Sequence, residues 1–238
     1  MPEKRLLLIS NSMNYGATFL EHATEAIKDF LGPDVATVLF IPFAGVRFPY
    51  DAYVRRVRTC FEAMGYGLES VHTSADAPEA VRRAQALVIG GGNTFHLLRE
   101  LYTRELLEPI RERVLAGGPF IGWSAGANVA CPTIKTTNDM PIVEPPSLHA
   151  LNVVPFQINP HYTEAALPQH SGETRPERLV EFVAANPHVY VVGLREGSML
   201  RIEGTTITLS GPHHVTVFCT GKTATDYTPM DSLQFLVS

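Results

Sequence analysis

Short apolar runs alternate with amphipathic stretches through the first half of the chain, and a chain written this way folds as βαβ units around a mostly parallel sheet. "RLLLIS" (5 to 10) reads as a buried strand. "TFLEHATEAIKDFL" follows with Phe19, Leu20, Ala23, Ile27, Phe30 and Leu31 at helical spacing, and Gly32-Pro33 ends it. "VATVLFI" (35 to 41) is a second strand and "DAYVRRVRTCFEAMG" (51 to 65) a second helix closed by glycine. "LESVH" and "ALVIG" read as strands, with the short helix "APEAVRRA" between them. "TFHLLREL" and "LLEPIRERVLAGG" add helix before the strand "PFIGW" (119 to 123). The expected fold class is therefore α/β, a doubly wound sheet with helices on both faces.

Beyond Ala130 the periodicity lapses into a proline-rich stretch that reaches residue 160, and a loop this long inside a compact domain is commonly a functional one. "TRPERLVEFVAANP" resumes helix, with Thr174 as its cap and Pro176 in its first turn. "VYVVGL" (189 to 194) is another strand, and "SMLRIEGTTITLSGPHHVTVFCTG" reads as C-terminal antiparallel hairpins. At 238 residues, one domain spanning 1 to 238 can supply a sizeable core.

The strand "PFIGW" delivers Gly122-Trp123-Ser124-Ala125-Gly126, a G-x-S-x-G pattern in which serine sits on a tight strand-to-helix turn. A nucleophile at the carboxyl end of a parallel strand lies where open α/β sheets build their sites. Serine attacks only once a base takes its proton. Among nine histidines, His161 in "INPHY" stands beside a proline just past an apolar run. A carboxylate must orient the imidazole. Glu196 in "VVGLREGSM" follows a strand and is expected to project from the same sheet edge as Ser124, while Asp139 in "TTNDMPIV" lies in the long loop. For the oxyanion, "VIGGGNTF" offers the backbone N–H of Gly91 or Gly92, and Ala125 offers the second.

Other chemistries fit less well. A dinucleotide fingerprint would need glycine where Phe95 stands, and "TVFCTGKT" lacks the first glycine of a P-loop. Neither H-E-x-x-H nor metal-ligand spacing of His and Cys occurs, so no metal or cofactor is expected. A formal charge of -5 without a basic block argues against nucleic acid, and no run approaches a membrane span. Cys60, Cys131 and Cys219 form no disulfide pattern, and the N-terminal apolar run is too short for a secretory signal, so a cytoplasmic location is expected.

With these residues in view, the chain resembles the peptidase E family of α-aspartyl dipeptidases, serine peptidases whose fold is similar to class I glutamine amidotransferases. The resemblance runs through "LLLISNS", "FIPFAGV", "GGGNTFHLL", "IGWSAGANVACPTIKTTNDMPIV", "QINPHYT", "GETRPERL" and "VVGLREG", about residues 5 to 200. It implies hydrolysis of Asp-Xaa dipeptides, with Ser124 as nucleophile and His161 as base. The third member has been assigned in the family both to the aspartate of "TTNDMP", here Asp139, and to the glutamate of "LREG", here Glu196. The residues themselves lean to Glu196, because a carboxylate at a strand end is better fixed than one in a loop.

Selectivity for aspartate needs a cation or several N–H donors for the substrate carboxylate, since a buried unpaired charge costs several kcal/mol. Arg175 in "GETR" is the first choice, and its place at a positive helix end suggests that something other than the helix holds it. Asn93, Thr137 and Thr136 could add hydrogen bonds. The rival readings are a cyanophycinase-like or isoaspartyl peptide hydrolase on the same scaffold, and a non-catalytic sensor of aspartyl compounds. Amidotransfer normally uses cysteine where Ser124 stands.

Overall fold

The computed structural model describes residues 3–165 and 171–237. Five parallel strands, β1 (Arg5–Ile9), β2 (Thr37–Ile41), β3 (Gly67–Ser70), β4 (Ala86–Ile89) and β5 (Phe120–Trp123), stand in the order β3-β2-β4-β5-β1. β8 (Met199–Glu203) pairs antiparallel with β1, and β9 (Thr206–Ser210) with β8, completing a seven-stranded sheet.

The sheet is wound on both faces, as its sequence demands. Its central strands β4 and β5 are buried on every residue and β1 on all but Arg5, the mark of strands covered on two sides. Within β1, Leu6 and Leu8 join one core cluster and Leu7 and Ile9 the other, following the two-residue period of a strand. Helices α1 (Thr24–Leu31) and α2 (Tyr50–Ala63) pack Ile27, Phe30, Val57 and Phe61 against the second face. Helices α3 (Ala77–Arg83), α4 (Thr94–Thr103) and α5 (Leu107–Leu115) pack Val81, Leu97, Leu101 and Ile110 against the first. Each such buried side chain contributes about 1.5–3 kcal/mol relative to exposure. α1 starts later than its periodicity suggests, because Leu20 takes a left-handed conformation (φ 57°) and Glu21–Ala23 forms a single 3-10 turn.

The second half builds a separate four-stranded sheet, ordered β11-β10-β7-β6. β6 (Gln157–Pro160) and β7 (Val191–Leu194) are parallel, and β10 (Val215–Phe218) and β11 (Thr225–Tyr227) complete the sheet in antiparallel pairings. Between β6 and β7 runs α7 (Arg175–Ala185), started by a capping box in which Thr174 and Glu177 satisfy each other's backbone N–H. The C-terminal tail thus forms the expected antiparallel hairpins, β8-β9 and β10-β11, but divides them between the two sheets. β8 and β9 form a hairpin, but β10 leaves them for β7. The burial patterns explain this: β9 alternates exposed and buried residues as an edge strand does, whereas β10 is buried throughout and belongs inside a sheet.

Candidate active site

Ser124 follows β5 and precedes the four-residue helix α6 (Ala125–Asn128). Its backbone sits at φ 52°, ψ -112°, a conformation that L-residues rarely adopt and that surrounding contacts must enforce. The flanking glycines provide the space. A Cβ on Gly122 would stand 2.3 Å from the Gly126 carbonyl oxygen, and one on Gly126 would stand 2.1 Å from that of Ile89. The motif's glycines are therefore steric requirements of the turn. Gly126→Ala is expected to cost about 1–3 kcal/mol or more, since the new methyl meets backbone rather than a yielding side chain. An unchanged melting temperature would contradict this packing.

The Ser124 hydroxyl lies 2.9 Å from Nε2 of His161, and Nδ1 of His161 lies 2.6 Å from Oε1 of Glu196. An ionised carboxylate can only accept, so Nδ1 carries the hydrogen and Nε2 is left as the acceptor for the serine O–H. His161 follows β6 in a left-handed conformation (φ 53°), and Glu196 lies two residues beyond β7. Glu196 thus does not share a sheet edge with Ser124. It reaches the same place from the four-stranded sheet, whose β6 and β7 run parallel and present both side chains at one end. A cleft of about 570 Å³ adjoins the pair, with Arg195, His213 and His214 among its lining residues.

The triglycine turn lies against the serine. A Cβ on Gly91 would come 3.0 Å from Cβ of Ser124, and one on Gly92 would stand 2.1 Å from the Ala44 carbonyl oxygen. Only residues without side chains bring this backbone so close. Tyr53, a residue with no signal of its own in the sequence, fixes the turn relative to the elbow. Its hydroxyl donates to the Gly91 carbonyl (3.0 Å) and accepts from the indole N–H of Trp123 (3.1 Å). Burial pushes the Tyr53 phenol well above its ordinary range, so it remains a neutral donor.

Asp139 is placed elsewhere in this arrangement. Its Oδ2 accepts from the backbone N–H (2.7 Å) and hydroxyl (2.6 Å) of Thr94 and from the Thr137 hydroxyl (3.2 Å). These bonds hold the long loop to the start of α4, directly after the triglycine turn, and none of them reaches His161. Asn93 caps α4 through Oδ1 and donates to the Met140 carbonyl through Nδ2. Thr137 and Thr136 likewise spend their hydroxyls inside the protein, Thr136 on the Ile158 carbonyl. Arg175 is held from outside its own helix: Nη1 donates to the carbonyl oxygen of His161 (2.5 Å). Among the described residues no group of three His, Cys, Asp or Glu is placed to hold a metal ion, and no helix is long and apolar enough to cross a membrane.

A serine elbow, a facing histidine with its carboxylate and a side-chain-free turn, carried on a doubly wound sheet, define a hydrolytic α/β site. The sequence matches peptidase family S51 over residues 6–210, and the chain belongs to that family and is a peptidase. It is 52% identical over 234 residues to a peptidase E of Nostoc sp., covering 98% of this chain and 97% of the relative. A peptidase E of Salmonella paratyphi A is 45% identical over 219 residues, covering 92% and 95%. The fold is also that of a peptidase from an acI-B1 Actinobacterium, with a TM-score of 0.71, 17% identity, and coverage of 97% of this chain and 96% of that one.

Proposed function

We propose that the protein is a serine dipeptidase that removes N-terminal aspartate from Asp-Xaa dipeptides through an acyl-enzyme on Ser124. The observation that carries this reading is the linear arrangement Ser124 Oγ, His161 Nε2, His161 Nδ1, Glu196 Oε1, with contacts of 2.9 and 2.6 Å. The aspartyl preference is supported by the similarity to proteins named peptidase E. His161 takes the serine proton as Oγ attacks the scissile carbonyl. Ala125 and Gly91 or Gly92 supply backbone N–H groups to the oxyanion, and no acceptor engages the N–H of Gly91 or Ala125 among the described residues. His161 then protonates the leaving amine, and water attacks the ester with His161 again as base.

Arg175 is the group we assign to the substrate carboxylate. Burial, followed by the nearby Arg178, holds its guanidinium below the ordinary range, and Glu196 only partly offsets this. A cation so situated gains from an added anion. The test is release of free leucine from Asp-Leu beside Ala-Leu, N-acetyl-Asp-Leu and a β-Asp-Arg dipeptide, with chelator present. Cleavage of Asp-Leu alone is expected, and Arg175→Gln is expected to lower kcat/KM for Asp-Leu by about 10²-fold, the scale of a lost charge-assisted hydrogen bond. Preferential cleavage of the β-linked substrate would replace this reading with the isoaspartyl one. Binding without turnover would replace it with the sensor.

A further inference from the structure

The reacting groups come from two different sheets. Ser124 ends a strand of the seven-stranded sheet, while His161 and Glu196 follow strands of the four-stranded one. The 2.9 Å contact between Ser124 and His161 therefore depends on how the two sheets are registered at this end. Nothing in the G-x-S-x-G motif can set that distance. Asn128 of α6 reaches across through its Nδ2, which donates to the Ile158 carbonyl of β6 (2.8 Å), and the residues that cross beside the reacting groups themselves are Ser10 and Asn11, immediately after β1, with exposures of 0% and 1%.

Ser10 makes three bonds. Its hydroxyl donates to the Leu194 carbonyl at the end of β7 (2.8 Å) and accepts from the backbone N–H of His161 (2.9 Å). Its own N–H donates to the Ser198 carbonyl (3.0 Å). One residue back, the Ile9 carbonyl accepts from the N–H of Ser124 itself (3.0 Å). Asn11 completes the crossing: its Oδ1 accepts from the N–H of Gly197 (2.8 Å), the residue after Glu196, while its Nδ2 donates to Met13 and Asn14. Three consecutive residues thus hold Ser124 on one side, through the Ile9 carbonyl, and both His161 and the Glu196 turn on the other, through the Ser10 and Asn11 side chains. His161 itself takes a left-handed conformation (φ 53°) just past the end of β6.

We propose that Ser10 is a positioning residue for the hydrolytic reaction, with Asn11 as its partner, and that this pair sets the distance between His161 and Ser124. A hydroxyl can donate to one sheet and accept from the other at once, which alanine cannot. The inference rests on Ser124 and His161 doing the chemistry. A displacement of about 1 Å between reacting groups can cost about 10²-fold in rate while leaving substrate contacts in place.

The experiment is steady-state kinetics of Ser10→Ala and Ser10→Thr on Asp-Leu, with melting temperature, and with the rate of inactivation by a serine-directed sulfonyl fluoride as a substrate-independent readout. Ser10→Ala is expected to lower kcat and the inactivation rate by about 10- to 100-fold with KM within about twofold of wild type, and Ser10→Thr, which keeps the hydroxyl, to recover most of the loss. Ser10→Ala with wild-type kcat and inactivation rate per folded molecule would overturn the proposal, as would a rise in KM with kcat unchanged. Asn11→Ala removes the acceptor for Gly197 together with the donations to Met13 and Asn14, leaves the Ser10 bonds in place, and gives a second reading with the same expected and overturning results, should Ser10→Ala not fold. If wild type cleaves no aspartyl dipeptide, the substrate assignment fails, while the inactivation rates still decide the role of Ser10.

Discussion

Ser124→Ala is expected to abolish turnover of Asp-Leu, lowering kcat by on the order of 10⁴- to 10⁶-fold, the range lost when a serine hydrolase keeps only its oxyanion site and binding contacts. The variant should fold as wild type does, because among the described residues no hydrogen bond beyond the one to His161 depends on the hydroxyl, and the N–H of Ser124 still donates to the Ile9 carbonyl. The backbone strain makes a second, sharper expectation. Alanine inherits the positive φ of 52° and gains nothing, whereas glycine accepts it freely. Ser124→Gly is therefore expected to be inactive and more stable than Ser124→Ala by about 1 kcal/mol, the reverse of the usual order of alanine and glycine. Thermal unfolding of the pair checks this. Near-normal turnover by either variant would refute the assignment of Ser124, and greater stability of the alanine variant would show that the turn is not strained.

Much of this site could be read from residue types because its constraints are local. The strands around Ser124 are continuous apolar runs, and Gly122 meets the backbone of Gly126 within the motif itself, while Gly126 in turn meets the Ile89 carbonyl of the neighbouring strand. Thr174 forms the expected cap for the same reason, and Glu177 completes it as a capping box. The arrangement of β6, β7 and β10 into a sheet of their own was not legible, because "VYVVGL" carries no mark of which sheet it will join. Strand partnership is decided by burial on both faces after collapse. The bridging roles of Tyr53 and Ser10 escaped notice for a related reason. Each bonds across a sequence separation of 38 or more residues, to a backbone carbonyl or N–H that has no sequence signature. Asn93 and Thr137 illustrate the converse: their polar groups suggested substrate contacts, and in the fold they cap a helix and secure a loop.

The two carboxylates left open by the sequence are separable by experiment, and opposite kinds of damage are expected. Glu196 accepts from Nδ1 of His161 at 2.6 Å, and in the mechanism we propose it holds the tautomer and offsets the positive charge that His161 acquires as serine attacks. Glu196→Gln removes that charge, and its amide can present an N–H to Nδ1 and favour the wrong tautomer. The expected result is a fall in kcat of about 10²- to 10⁴-fold with little change in melting temperature, the pair being half-exposed, with 39% and 55% of the side chains accessible. Asp139 is bonded to Thr94 and Thr137, and in the same proposal it supports the site through the turn that carries Gly91 and Gly92. Asp139→Asn keeps one acceptor but loses the charge facing two hydroxyls and an N–H, and is expected to cost about 1–3 kcal/mol of stability with a loss of kcat of only about tenfold. Measured side by side, kcat and melting temperature should thus move in opposite proportion in the two variants. An Asp139→Asn enzyme that is stable but dead, beside a Glu196→Gln enzyme of near-normal rate, would transfer the orienting role to Asp139. That outcome would require the long loop to move, bringing Asp139 to His161 only when substrate is bound.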